Sequence, residues 1–210
     1  MLEDYNFWLS VVTALVAVVA LIQTRRQIKV SNKQHLFDKR VENYLIAEGL
    51  VQLYKKNQSS LKHEKDEPIL AIDIKFFLLT NNTFLEQITH VINNTLDPSM
   101  QKEFLIKLES IKDVAAKIKF LFSGKSANLL GDFVMLYQEL LFSMYQYKIL
   151  LDKMQEASQN YKWTLEETQE KLNENEWRNK LLKVINDLEY AYIQLKEKNV
   201  EKILEKQIRL

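Results

Sequence analysis

An all-α fold, with an N-terminal transmembrane helix continuing into a cytoplasmic helical bundle that forms oligomers, is what this sequence predicts. Three observations carry the fold class. The 210 residues include three glycines and two prolines, fewer turn formers than a strand-rich or glycine-loop architecture needs. Positions 7–22 form an unbroken uncharged run. Downstream, apolar residues recur at steps of three and four, the period of helices that bury one face. The length suits one span plus one globular domain. Lys and Arg total 29 against 28 Asp and Glu, so no global charge points to DNA. The chain has no cysteine, which excludes disulfide frameworks and thiolate metal sites.

The first element is the span, residues 1–24. Its apolar stretch from Tyr5 to Ile22 covers about 27 Å as a helix, against a hydrocarbon core of about 30 Å. Its large apolar residues together favour insertion by about 3–6 kcal/mol, outweighing Ser10 and Thr13. Tyr5 and Trp8 suit one membrane interface, and Arg25 and Arg26 close the other end. A signal peptide is disfavoured by Glu3 and Asp4 in the n-region and by the three-residue spacing of Ala17 and Ala20. No Lys or Arg precedes the run, whereas Arg25, Arg26, Lys29, Lys33, Lys39 and Arg40 follow it. The expected orientation is N-terminus out in a bacterial inner membrane, with the remainder in the cytoplasm. A core helix of a soluble protein is the plain alternative.

Within the run the residues are sorted. Asn6, Ser10, Thr13, Ala17, Ala20, Thr24 and Gln27 recur at alternating steps of four and three, which on a helix is one heptad seam. Apart from Ala14, the other positions between 7 and 22 are Phe, Trp, Leu, Val or Ile. Ser10 with Ala14 and Thr13 with Ala17 are small-x₃-small pairs that permit close helix approach. The seam therefore reads as a helix–helix interface, or as the lining of a polar path along the axis of a ring of copies. Both readings require a homo-oligomer in the lipid bilayer.

Residues 25–56 extend the same helix, with S-x-x-Q at Ser31 and Gln34 marking a candidate break. Residues 57–67 are polar, end at Pro68 and read as a loop. The rest, residues 68–210, is a helical domain. One helix starts near Pro68 and runs to Leu96, with a candidate interruption at Asn81 and Asn82. Asp97 followed by Pro98 starts the next, which stops at Gly124. A long helix with Phe133, Tyr137, Leu141, Met144, Tyr147 and Leu151 follows from Ala127 to about Tyr161. Thr164 and Glu167 form a capping box before a last helix, whose Leu181, Val184, Leu188, Ala191 and Leu195 suit internal packing or a coiled coil.

No residue nominates itself as catalytic, metal-ligating or cofactor-binding. Gly124-Lys125-Ser126 matches the tail of a phosphate loop, but position 119 is Lys rather than Gly, so Gly124 reads as a helix C-terminal cap. His35, His63 and His90 lack metal-site spacing. Glu166, Glu167, Glu174 and Glu176 are expected on solvated faces. Ser59-Ser60 lacks the context of a nucleophile elbow. Lys102, Lys107, Lys112, Lys117 and Lys119, near Phe120 and Phe122, suit either a groove for single-stranded nucleic acid or, given Glu103, Glu109 and Asp113, a solvated mixed face.

The layout of one N-terminal span, a basic juxtamembrane helix and an α-helical domain resembles small bacterial membrane effectors of anti-phage, abortive-infection systems. Residues 27–54, and Phe37-Asp38-Lys39-Arg40 within them, are similar to the helix that follows the span in such proteins. Among such proteins it resembles the channel-forming effector of Hailong-type systems. That resemblance implies an oligomeric channel held inactive by short DNA oligomers and released when phage destroys them. It carries over no ligand residue. The expected function is therefore a pore-forming effector whose helical domain senses a ligand, a nucleotide or short single-stranded DNA. A membrane-tethered scaffold that binds a partner protein is the alternative.

Overall fold

The computed structural model describes residues 2–62 and 68–208, with side chains for 7–9, 11–62 and 68–208. Seven α-helices make up the described chain: α1 Leu2–Asn57, α2 Ile72–Thr80, α3 Pro98–Leu121, α4 Lys125–Tyr161, α5 Leu165–Lys171, α6 Glu174–Glu197 and α7 Val200–Ile208. Short 3₁₀ turns lie at Gln58–Leu61 and Glu86–Asn93. No strand occurs among the described residues.

α1 is 56 residues long and has no break at Ser31. Its C-terminal part packs into the bundle through Tyr44, Ala47, Val51 and Tyr54, which recur at heptad steps and are all buried. The N-terminal part projects. From Phe7 to Leu36 the described side chains are exposed apart from half-buried Val11. The apolar stretch is not part of the core of its own bundle, which covers none of it.

α4 is the central pillar, packed against α3 and α6 along its length. Its inward stripe of Phe133, Val134, Tyr137, Leu140, Leu141 and Met144 is buried. Three α4 tyrosines also tie down neighbouring segments. Tyr137 donates to the Leu79 carbonyl at 2.6 Å, Tyr145 to the Thr95 carbonyl at 2.5 Å, and Tyr147 to the Glu174 carboxylate. Close approach of α3 depends on Gly131, where a Cβ would lie 3.0 Å from the Ala115 carbonyl oxygen and 2.6 Å from the Lys119 stem.

Burial pushes the phenols of Tyr44, Tyr54, Tyr137 and Tyr147 well above their ordinary value of 10.0, because the phenolate loses its water. Folded-state values raised in this way give stability that is present below the unfolded value and lost as pH climbs past it. The bundle is therefore expected to unfold cooperatively in alkali above about pH 10. Absorbance at 295 nm and helical circular dichroism followed together check this. Ionisation of these phenols before helix loss would contradict it.

Several helix boundaries differ from expectation. The helix expected from Pro68 to Leu96 is interrupted at Asn81 and Asn82, the anticipated place: α2 ends there, Asn82 Oδ1 accepts from the Leu85 amide at 2.8 Å, and only the 3₁₀ turn Glu86–Asn93 follows. Asp97 caps α3 as expected, accepting from the Ser99 and Met100 amides. Gly124 is not a C-terminal cap. It has φ 84° and opens α4, while Phe122 closes α3 in extended conformation. The Thr164–Glu167 capping box is present. The single last helix, however, is three, α5 to α7, separated at Asn173 and Asn199, both in left-handed conformation. The buried Leu181, Leu188 and Leu195 face α4, so their repeat packs internally. Of the loop expected at 57–67, residues 63–67 lie outside the described residues.

Candidate functional site

The candidate site is the projecting part of α1. Its uninterrupted helix puts Thr13, Ala17, Ala20, Thr24 and Gln27 on one stripe. The side chains of Tyr5, Asn6 and Ser10 lie outside the described residues. Thr13 Oγ1 donates to the Leu9 carbonyl and Thr24 Oγ1 to the Ala20 carbonyl, each at 2.8 Å. Their hydroxyl protons are therefore used by the helix itself, and the face they present outward is an acceptor oxygen. On the remaining surface stand Phe7, Trp8, Leu9, Val12, Leu15, Val16, Val18 and Val19, all exposed. Trp8 packs edge-on against Phe7. Arg25 and Arg26 are exposed where the apolar run ends. The helix reaches a mean hydropathy of 2.1 over its best window and is long and apolar enough to cross a membrane.

The projecting helix is fixed to the bundle at Arg40. Its Nε donates to the Leu121 carbonyl at 2.9 Å and its Nη1 to the Gln207 carbonyl at 2.8 Å. These carbonyls belong to the C-terminal turns of α3 and α7, so one guanidinium satisfies the ends of two helices. The same group stacks 5.7 Å over Phe122, which also packs on Tyr44. Gln207 completes the joint through both ends of its amide, accepting from the Ser123 amide at 2.9 Å and donating to its carbonyl at 3.1 Å. Arg40 thus joins the base of the projecting helix to the C-terminal ends of α3 and α7. Sequence reasoning singled out Arg40 only as a charge, because its partners are carbonyls distant in the chain.

Within the bundle, Glu174 overturns the expectation of a solvated face. It is fully buried, whereas Glu166, Glu167 and Glu176 are exposed. Glu174 accepts from Tyr147 Oη and from Gln169 Nε2, and lies 3.4 Å from Arg178 Nη1. Arg178 Nη2 donates to Asn175, but Nε and Nη1 have no hydrogen-bond partner among the described residues. The Tyr147 oxygen also accepts from the Ile69 amide at 3.1 Å. This network holds the chain between Pro68 and α2 against α4 and α6.

An open cleft of about 480 Å³ lies beside it, lined by Lys148, Asp152, Gln155 and Gln159 of α4, by Leu165 of α5, and by Leu70. Its size is that of a small-molecule site. Lys148 and Asp152 pair with each other, so the cleft carries hydrogen-bonding groups with little net charge. Lys148 lies about 35 Å along α4 from the Arg40 joint.

Of the two readings of α3, the basic-aromatic groove is not assembled. Phe122 is buried, Phe120 is 85% exposed, Lys119 pairs with Asp132, and Lys107 sits on the Phe84 ring. The mixed solvated face is what α3 displays. His35 and His90 are exposed and apart, and His63 lies outside the described residues. No group of three or more potential metal ligands occurs among the described residues. Comparison of the chain with family models, with curated proteins and with solved structures finds no match.

Proposed function

We propose that the chain is a single-pass protein of the bacterial inner membrane, N-terminus outside, whose α1 assembles with other copies into a gated channel. The bundle is its cytoplasmic sensing domain, and opening depolarises the membrane and arrests growth as an anti-phage response. One observation carries the reading: a projecting helix, covered by nothing in its own chain, whose small and polar residues between positions 7 and 22 lie, Ala14 apart, on one stripe. A plain anchor gains nothing from that sorting, whereas packing between copies does. The Arg40 joint supplies a mechanical route from the bundle to the span. The resemblance to anti-phage effectors supplies the biological setting, and a nucleotide or short single-stranded DNA as the ligand class. The proposal gives the chain no catalytic role and no metal or cofactor.

Membrane potential in cells expressing the protein tests this. Phage challenge is expected to depolarise them, and exchange of residues 7–22 for an unrelated leucine-rich span is expected to abolish the response while keeping the protein in the membrane. The second reading, a tethered scaffold for a partner protein, is favoured by the exposed apolar Leu70, Ile74 and Phe77 at and before α2. A leucine-rich span that preserved function would support the scaffold and sink the channel.

A further inference from the structure

The uninterrupted α1 carries the sorting beyond the apolar run. Continuing the steps of four and three past Thr24 and Gln27 gives Ser31, Gln34, Asp38 and Val41. None of the six basic residues Arg25, Arg26, Lys29, Lys33, Lys39 and Arg40 falls on this seam. In heptad terms they all occupy the three positions on the opposite face. The two positions that flank Gln27 and Ser31 are instead Ile28 and Val30, which are 55% and 54% exposed. A neighbouring helix accounts for these exposed aliphatic side chains past Arg25 and Arg26. The bundle lies against a flank of α1 about 100° round from the seam, through Arg40, Tyr44 and Ala47. It leaves most of the seam side open: Asp38 and Leu45 are exposed, Leu45 by 62%, and Val41 between them is half-buried. Charge sorting, flanking aliphatics and open access all point to the same occupant, a second copy in parallel.

We propose that copies of this chain continue their contact beyond the bilayer as a parallel helical neck, lined by Gln27, Ser31 and Gln34 and ending in a ring of Asp38 carboxylates that makes the conduit favour cations. The neck rests on the channel reading. From Thr24 to Asp38 it spans about 21 Å. A heptad seam drifts by about 20° per repeat on a straight helix, so the neck coils left-handed. Its lining offers amides and hydroxyls without charge until Asp38, the first charged residue on the seam after the apolar run. Lys39 and Glu42 pair with each other at 2.8 Å, and Asp38 forms no ion pair among the described residues. Rings of carboxylates at a pore mouth concentrate cations and repel anions.

The absence of native cysteine makes single-cysteine crosslinking in membranes a clean test on the full chain. Oxidation is expected to give covalent dimers for Ser31→Cys and Gln34→Cys and none for Lys29→Cys or Lys33→Cys. Thr13→Cys separates the two levels of the argument. Linkage at Thr13→Cys without linkage at Ser31→Cys overturns the neck alone, whereas failure of both overturns the channel reading as well. In planar bilayers under a potassium chloride gradient, the wild-type reversal potential is expected on the cation-selective side. Asp38→Lys is expected to move it toward the anion side, and an unmoved potential overturns the carboxylate ring.

Discussion

Glu174→Ala is expected to destabilise the bundle by about 3–5 kcal/mol, the range for removing one partner of a buried ion pair. The alanine leaves Arg178, only 5% exposed, with no counter-charge. It also takes the acceptor from Tyr147, whose hydroxyl links α4 to the chain before α2. The two losses fall on one network, so they do not add as independent terms. Thermal unfolding of the full-length protein, followed by circular dichroism, should show a midpoint about 6–20 °C lower. Replacing both charges by apolar residues of similar volume, Glu174→Leu with Arg178→Met, should recover most of the loss, because no charge is then stranded. A single variant that melts within about 2 °C of wild type would show that the network contributes little.

The second large effect concerns the span. Ala17→Leu adds a branched side chain to the middle of the seam, where close approach requires small residues. It raises the segment's affinity for lipid, so insertion is kept. The expected result is a protein that remains in the membrane, no longer associates and no longer depolarises cells. Leu15→Ile, on the face opposite the seam, changes neither volume nor polarity and is expected to behave as wild type. Equal behaviour of the two variants would mean that the seam has no special role.

Much of this architecture was readable from residue patterns because the signals are local. The apolar run, the Asp97-Pro98 start of α3, the Thr164–Glu167 capping box and the inward stripe of α4 each depend on residues within a few turns. The misread boundaries have a common cause. Asn173 and Asn199 divide the last helix without a glycine or proline, and asparagine does so through left-handed backbone that composition does not reveal. Glu174 was misplaced for a different reason. An acidic residue in a first helical turn usually faces water, and its burial depends on Tyr147, 27 positions away. The Arg40 joint is likewise built from contacts 81 and 167 positions apart. Of the candidate site, the stripe was visible from spacing, but its extension past Ser31 required knowing that α1 does not break there.

The central claim is that the slender, hydrogen-bonding edge of α1 meets the same edge of other copies. The mass of the intact protein released from membranes in mild detergent tests it most directly. A defined oligomer is predicted for wild type, collapsing to single chains in Ala17→Leu. A wild-type protein that is monomeric under conditions where its helices stay folded would contradict the account.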